Sequence, residues 1–339
     1  MIWLTWRQFR TQAVVGFVAA AAIAVVFLVT RGALIDLARD MGYTGCTTDC
    51  GTFADQFVRQ AQKDYFGRLM FAGSVLLFVL PVLIGLFWGA PLVARELETG
   101  THRLVWNQTV SRNRWLAVKL GGVGLATVAV AGLISWAFTA WASPLDKANG
   151  WMTPDIFTVR GVVPIGYAAF GFLAGVTIGM LLRRTVAAMA VTLVVVGVAM
   201  FLVIAFLRPH LVEQTTYTGT LTAESIGGIS LSPGDADRDI RVEPEAPVEG
   251  AWVLSNVVVN ASGVAWHGPY DPQFCGPGAP GDGPQGCARW IASQDLKQKV
   301  IYLGADKFWA LQWRELGVLV GVSALLAIFC FWWIRRRVA

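Results

Sequence analysis

Six apolar stretches, at roughly 13 to 30, 69 to 94, 117 to 142, 162 to 182, 186 to 207 and 316 to 334, each come close to or exceed the ~20 residues that a helical membrane crossing needs. Backbone groups in hydrocarbon must be hydrogen-bonded within their own segment. None of the six shows the period-two alternation of a lipid-facing barrel strand, so helix is the predicted conformation throughout. A 55% hydrophobic content with only 14% charged residues is also too apolar for a water-covered surface. The predicted fold class is an all-α polytopic membrane protein of six transmembrane helices. Arg7 and Arg10 precede the first stretch, as in a signal peptide. Its apolar run outlasts the about 7 to 15 residues of a cleavable signal and leads through Val29 and Thr30 into Arg31, so it reads as an uncleaved anchor.

Charge gives the expected orientation. Arg7, Arg10, Arg95, Arg103, Arg112, Arg114, Lys119, Arg183, Arg184 and Arg335 to Arg337 fall on one face of the six crossings, opposed there by Glu96 and Glu98 alone. The other face carries an acidic excess. Short basic loops stay in the cytoplasm, which predicts a multi-pass protein of the cell membrane with both termini inside. The sequence pI of 9.1 then follows from topology and implies no nucleic-acid partner. Cys46, Cys50, Cys275 and Cys287 all fall on the opposite face, as two loop-closing disulfides in an oxidising compartment require. The spacing leaves open whether Cys46 pairs with Cys50 or with a cysteine of the other loop. Only His267 lies near enough to suggest a metal instead, and no metal site is predicted.

Four regions follow. Residues 1–12 alternate Trp3, Trp6 and Phe9 with Arg7 and Arg10, which suits a helix lying in the headgroup layer or a simple extension of the first span. Residues 13–207 hold spans one to five, with a cytoplasmic segment at 95–115. Residues 208–315 form an extracytoplasmic loop region, α+β or irregular, and 316–339 the sixth span and a basic tail. The charges of both signs between 32 and 68 read as solvated helix faces.

Pro81 predicts a kink and Pro91 a second interruption near the inner end of span two. Gly100 offers a hinge, Thr99 or Thr101 an N-cap for a short helix carrying Leu104, Val105 and Trp106, and Ser111 the N-cap of the third span. The turn Arg183-Arg184-Thr185 is short enough to make spans four and five antiparallel neighbours. In the large loop, Tyr217 to Thr222 and Trp252 to Val259 read as strands. Gly268 to Gly286 reads as irregular, and Trp290 to Trp313 as helix.

The chemistry is sparse. No Lys is followed by Ser or Thr, so the sequence holds no P-loop. No Asp, Glu, His or Lys sits in the centre of a span, where ion-coupled transporters keep such groups. The acids and histidines of the loops make no catalytic or metal-binding spacing, so no enzymatic activity and no catalytic residue is predicted.

Arg95-Glu96-Leu97-Glu98-Thr99-Gly100-Thr101, followed by Ser111-Arg112 and then Lys119, resembles the cytoplasmic signature of ABC transporter permeases of the type-2 exporter family. The basic opening from Trp3 to Arg10 and the closing from Phe329 to Arg337 are similar to actinobacterial members. The resemblance implies a non-catalytic subunit that exports a substrate as a homodimer or beside a similar chain, in contact with membrane lipid. A separate cytoplasmic ATPase subunit binds ATP and Mg. Residues 95–115 would be the coupling segment, docking through Arg95, Glu96, Glu98, Gly100, Thr101, Arg103, Leu104, Val105, Trp106, Ser111 and Arg112, with the acids facing basic groups of the ATPase. This chain departs from the family in its long 208–315 loop and in having Thr109 and Val110 where a Pro often precedes the Ser-Arg pair. The competing reading is a membrane-anchored sensor or scaffold whose external domain binds a ligand or envelope partner.

Overall fold

The apolar stretches form long helices in the computed structural model, which describes residues 2–48, 50–101, 111–231, 239–248, 250–269, 271–276 and 284–336. In chain order these are α1 (Ile2–Asp40), α2 (Gly51–Lys63), α3 (Tyr65–Ile84), α4 (Ala90–Thr99), α5 (Arg112–Asn149), α6 (Pro154–Thr158), α7 (Val163–Leu182) and α8 (Thr185–Leu202). Then come β1 (Thr215–Thr220), β2 (Ile226–Leu231), β3 (Asp239–Pro244), β4 (Trp252–Val259), β5 (Gly268–Pro269), α9 (Pro272–Cys275), α10 (Pro284–Ala292), β6 (Lys297–Leu303) and α11 (Phe308–Arg336). Six helical runs among the described residues are long and apolar enough to cross a membrane. The chain divides into two compact units, Val212–Lys307 and the remainder.

In the helical unit, residues 2–12 are the first turns of α1 with no break before the span, so the extension is the form observed. Five-residue π turns at Gly85–Gly89 and Val203–Leu207 interrupt the second and fifth spans. Pro81 itself sits inside α3, and Pro91 lies in the first turn of α4, directly after the π turn. The third span is much longer than its apolar core: at about 1.5 Å per residue the 38 residues of α5 reach roughly 57 Å, nearly twice a ~30 Å hydrocarbon layer.

The fourth span is the hub. In α7 67% of its most apolar window is buried, against 17% for the fifth span, so α7 is packed by protein and α8 mostly exposes its apolar side chains. Gly171, Gly175 and Gly179 form a small-residue stripe on α7. A side chain at these positions would meet the backbone of Pro81, Gly85 and Ala90, so the second and fourth spans touch backbone to backbone. The tight turn between α7 and α8, with Arg183 at φ 55°, makes those helices antiparallel as expected.

One end of this unit carries Cys46, disulfide-bonded to Cys50, and the amphipathic α2, which buries Ala54, Phe57 and Ala61 at helical spacing. Its exposed ion pairs, Asp36–Arg39 and Asp55–Arg59, are the solvated faces expected there. The same end hides two charge pairs that the sequence boundaries conceal. Arg160 donates from Nε to Asp146 Oδ2 at 2.7 Å and from Nη2 to Oδ1 at 3.1 Å. Arg208, turned inward just after the second π turn, makes a two-pronged pair with Glu315 at 2.8 Å on both prongs, with both side chains fully buried. Tyr167 donates its hydroxyl to Glu315 at 2.7 Å, and Gln312 accepts the N–H groups of Val162 and Val163 that open α7. The expectation of uncharged span centres holds, but Glu96, Lys119, Asp146, Arg208 and Glu315 all lie within the spanning helices toward their ends.

The second unit contains two three-stranded antiparallel sheets, ordered β1-β6-β4 and β2-β3-β5. Its core gathers Leu221, Ile240, Val242, Val258, Cys287, Ile291 and Leu296. Cys275 is bonded to Cys287, so each disulfide closes its own loop. The strands expected near Tyr217 and from Trp252 to Val259 are β1 and β4. The helix expected across Trp290 to Trp313 is corrected: α10 ends at Ala292, Asp295 turns the chain at φ 50°, and 297–303 is the central strand of its sheet. Apolar side chains on both faces of a central strand resemble a buried helix in sequence. The irregular stretch predicted from Gly268 to Gly286 in fact contains β5, α9 and the start of α10. The unit is also narrower than 208–315, since 208–211 and 308–315 belong to the helical one.

Candidate functional site

The other end of the helical unit brings together Glu96, Glu98 and the arginine-rich segments. At the end of the second span α4 runs to Thr99 and stops at Gly100, whose φ of 73° favours glycine as the C-terminal cap. Thr99 donates its hydroxyl to Arg95 O at 2.9 Å and lies 3.0 Å from the Thr101 hydroxyl. His102 to Val110 lie outside the described residues, and with them the expected positions Arg103, Leu104, Val105 and Trp106. The chain resumes at Ser111, whose Oγ accepts the Arg114 N–H at 3.4 Å, so Ser111 is the N-cap predicted for the third span and Arg112 its first helical residue.

Three polar clamps tie this end together. Lys119, almost fully buried, donates to Glu96 Oε1 at 2.6 Å and to Leu92 O at 3.2 Å, and its ammonium stands 4.8 Å from the Trp115 ring centroid. Residues 23 positions apart thus fasten α4 to α5. Glu98 Oε2 accepts both the N–H and the hydroxyl of Thr185, at 2.9 and 2.7 Å. Its carboxylate sits at the N-terminus of α8, where exposed N–H groups and the helix dipole favour negative charge. Arg335 donates to Asn113 Oδ1 at 3.0 Å and joins the sixth span to the third. The sequence pointed Glu96 and Glu98 toward a partner protein; their described contacts are with Lys119 and Thr185 of this chain, which a linear motif does not reveal.

Replacing Glu98 by alanine is therefore expected to loosen the first turn of α8. Hydrogen–deuterium exchange of the peptide covering 185–189 reads this directly: faster uptake in Glu98→Ala, with Glu98→Gln between it and wild type. Unchanged uptake in both variants would show that the carboxylate does not cap that helix in solution.

A cavity of about 490 Å³ opens between the first turns of α1 and the end of the second span. Phe9 meets Trp88 edge to face on its apolar side, while Gln8, Gln12, Arg95, Thr99 and Thr101 line its polar side. Among the described residues no group of His, Cys, Asp and Glu is placed to hold a metal ion.

The short α4, which follows α3 after a π turn, is fastened through Glu96 to the third span and through Glu98 to the fifth. A family model described as ABC-2 membrane transporter related matches residues 17–208, more than half of the chain, from within the first span into the fifth. No curated protein and no solved structure matches it.

Proposed function

This chain belongs to the ABC-2 membrane transporter related family, and from that membership we propose that it is the permease subunit of an exporter driven by a separate cytoplasmic ATPase. As a multi-pass membrane protein and transporter component it supplies the path, and the ATPase supplies ATP, Mg and the power stroke. Two permease chains, identical or similar, enclose the route, and the arginine-rich end faces the cytoplasm. Residues 95–115 dock on the ATPase, with Leu104, Val105 and Trp106 as apolar anchors.

The observation that carries this reading is the pair of clamps, Glu96–Lys119 and Glu98–Thr185, which fasten the short α4 to two other spans. An element tied to two spans in this way would pass a partner's movement to both as helix tilt. Glu96 and Glu98 serve as internal fasteners, and the docking contacts fall to residues from Gly100 onward. The test is purification of the tagged chain in mild detergent from its native membrane. A P-loop ATPase polypeptide is expected in stoichiometric amount; its consistent absence at low salt, with the chain intact, would contradict the reading.

A further inference from the structure

We infer that the cavity between the first turns of α1 and the end of the second span is a binding site for the headgroup of an anionic phospholipid, with Arg95 as its anion-holding residue. Its volume, about 490 Å³, falls within the roughly 300–1,000 Å³ of small-molecule sites. The charges lining it leave one positive balance: Lys119 is held by Glu96, while Arg95 is exposed and projects from α4 at the mouth. Gln8 and Gln12, both exposed on successive turns of α1, add amide donors. A phosphodiester needs this mixture of one guanidinium and neutral donors.

The opposite wall selects a lipid over a soluble anion. Phe87, half exposed, with Trp88, Pro91 and Leu92, forms an apolar side continuous with the second span. The cavity also sits at headgroup depth. Trp3 and Trp6 are exposed on the same turns of α1, and the Arg7 guanidinium stands 5.4 Å from the Trp3 ring centroid, as interfacial anchors do. A basic pocket between spans at such an interface is the expected setting for a phosphate-bearing headgroup. A lipid there would touch Arg95 and Thr99 of α4 and Thr101 just beyond it. The inference does not rest on the ATPase reading, because lipid binding is measurable on the chain alone.

Native mass spectrometry of the detergent-purified chain, titrated with phosphatidylglycerol or phosphatidylcholine, tests it. Wild type is expected to hold phosphatidylglycerol about five- to tenfold more tightly than phosphatidylcholine, the worth of roughly one interfacial arginine. Arg95→Ala and Gln12→Glu should each remove that preference, whereas Arg114→Ala, at the same end but outside the cavity, should keep it. Equal loss in Arg114→Ala would mean diffuse attraction to a basic surface and would overturn the site. So would an unchanged preference in Arg95→Ala, or displacement of the lipid by millimolar inorganic phosphate, which would mark the occupant as a soluble anion.

Discussion

Arg208→Leu is expected to destabilise the helical unit by about 3–5 kcal/mol, the usual cost of stranding one member of a buried ion pair. Glu315 is fully buried and loses both of its guanidinium bonds, keeping only the Tyr167 hydroxyl. The substitution also removes the Arg208 Nη1 bonds to Pro154 O and the Thr158 hydroxyl, 3.0 and 2.9 Å long, while those two groups stay bonded to each other. Glu315→Leu should cost a similar amount by leaving Arg208 uncompensated. The double variant separates charge from packing: two leucines remove both charges together, and exchange of a buried pair for apolar groups is often neutral or better. Thermal unfolding in detergent should therefore place Arg208→Leu with Glu315→Leu well above either single variant. Single variants that lose less than about 1 kcal/mol would mean the pair is hydrated and worth no more than a surface bridge.

Gly175→Leu is the second substitution with a large expected effect. The new Cβ would collide with the Gly85 carbonyl and lie 2.9 Å from the Ala90 nitrogen, and neither backbone group can rotate away. Overfilling a packed interior costs typically 1–3 kcal/mol, and a backbone obstacle puts this case at about 3 kcal/mol or more. Gly121→Leu is the control, since an added Cβ there meets nothing within 4 Å and surface changes stay within about 0.5 kcal/mol. Detergent extraction followed by size-exclusion chromatography should recover Gly121→Leu as a monodisperse peak and Gly175→Leu in greatly reduced yield. Equal recovery would show that the second and fourth spans do not approach backbone to backbone.

Hydrophobicity made the six crossings legible in the sequence, because burial in lipid leaves no alternative to a continuous helix. Short-range chemistry was legible for the same local reasons: Ser111 caps α5, Gly100 ends α4 and the Arg183–Thr185 turn pairs two spans. What stayed hidden is pairing over distance. Asp146 with Arg160 and Arg208 with Glu315 look like loop charges when spans are cut at the last apolar residue. The third and sixth spanning helices extend past those cuts to Asp146 and Glu315, which meet their partners inside. The stripe of Gly171, Gly175 and Gly179 is visible as a spacing, but nothing in it names Pro81, Gly85 and Ala90 as the facing backbone. Within the motif 95–101, Glu96 and Glu98 hold this protein's own helices, and the signal that finds those partners is three-dimensional.

The clamps recast what the two halves of the 95–115 segment do. Up to Glu98 it is tied to the bundle, and α4 ends at the left-handed Gly100. Docking on an ATPase should accordingly depend on the residues after the hinge and tolerate loss of a cap before it. The most direct measurement is quantitative co-purification of the ATPase with the tagged chain in three forms: wild type, Glu98→Ala, and Leu104→Asp combined with Trp106→Asp. Full recovery is expected with wild type and Glu98→Ala, and loss with the paired aspartates, at unchanged membrane insertion. Recovery undiminished by Leu104→Asp with Trp106→Asp would contradict it, since the ATPase would then be held somewhere other than this segment.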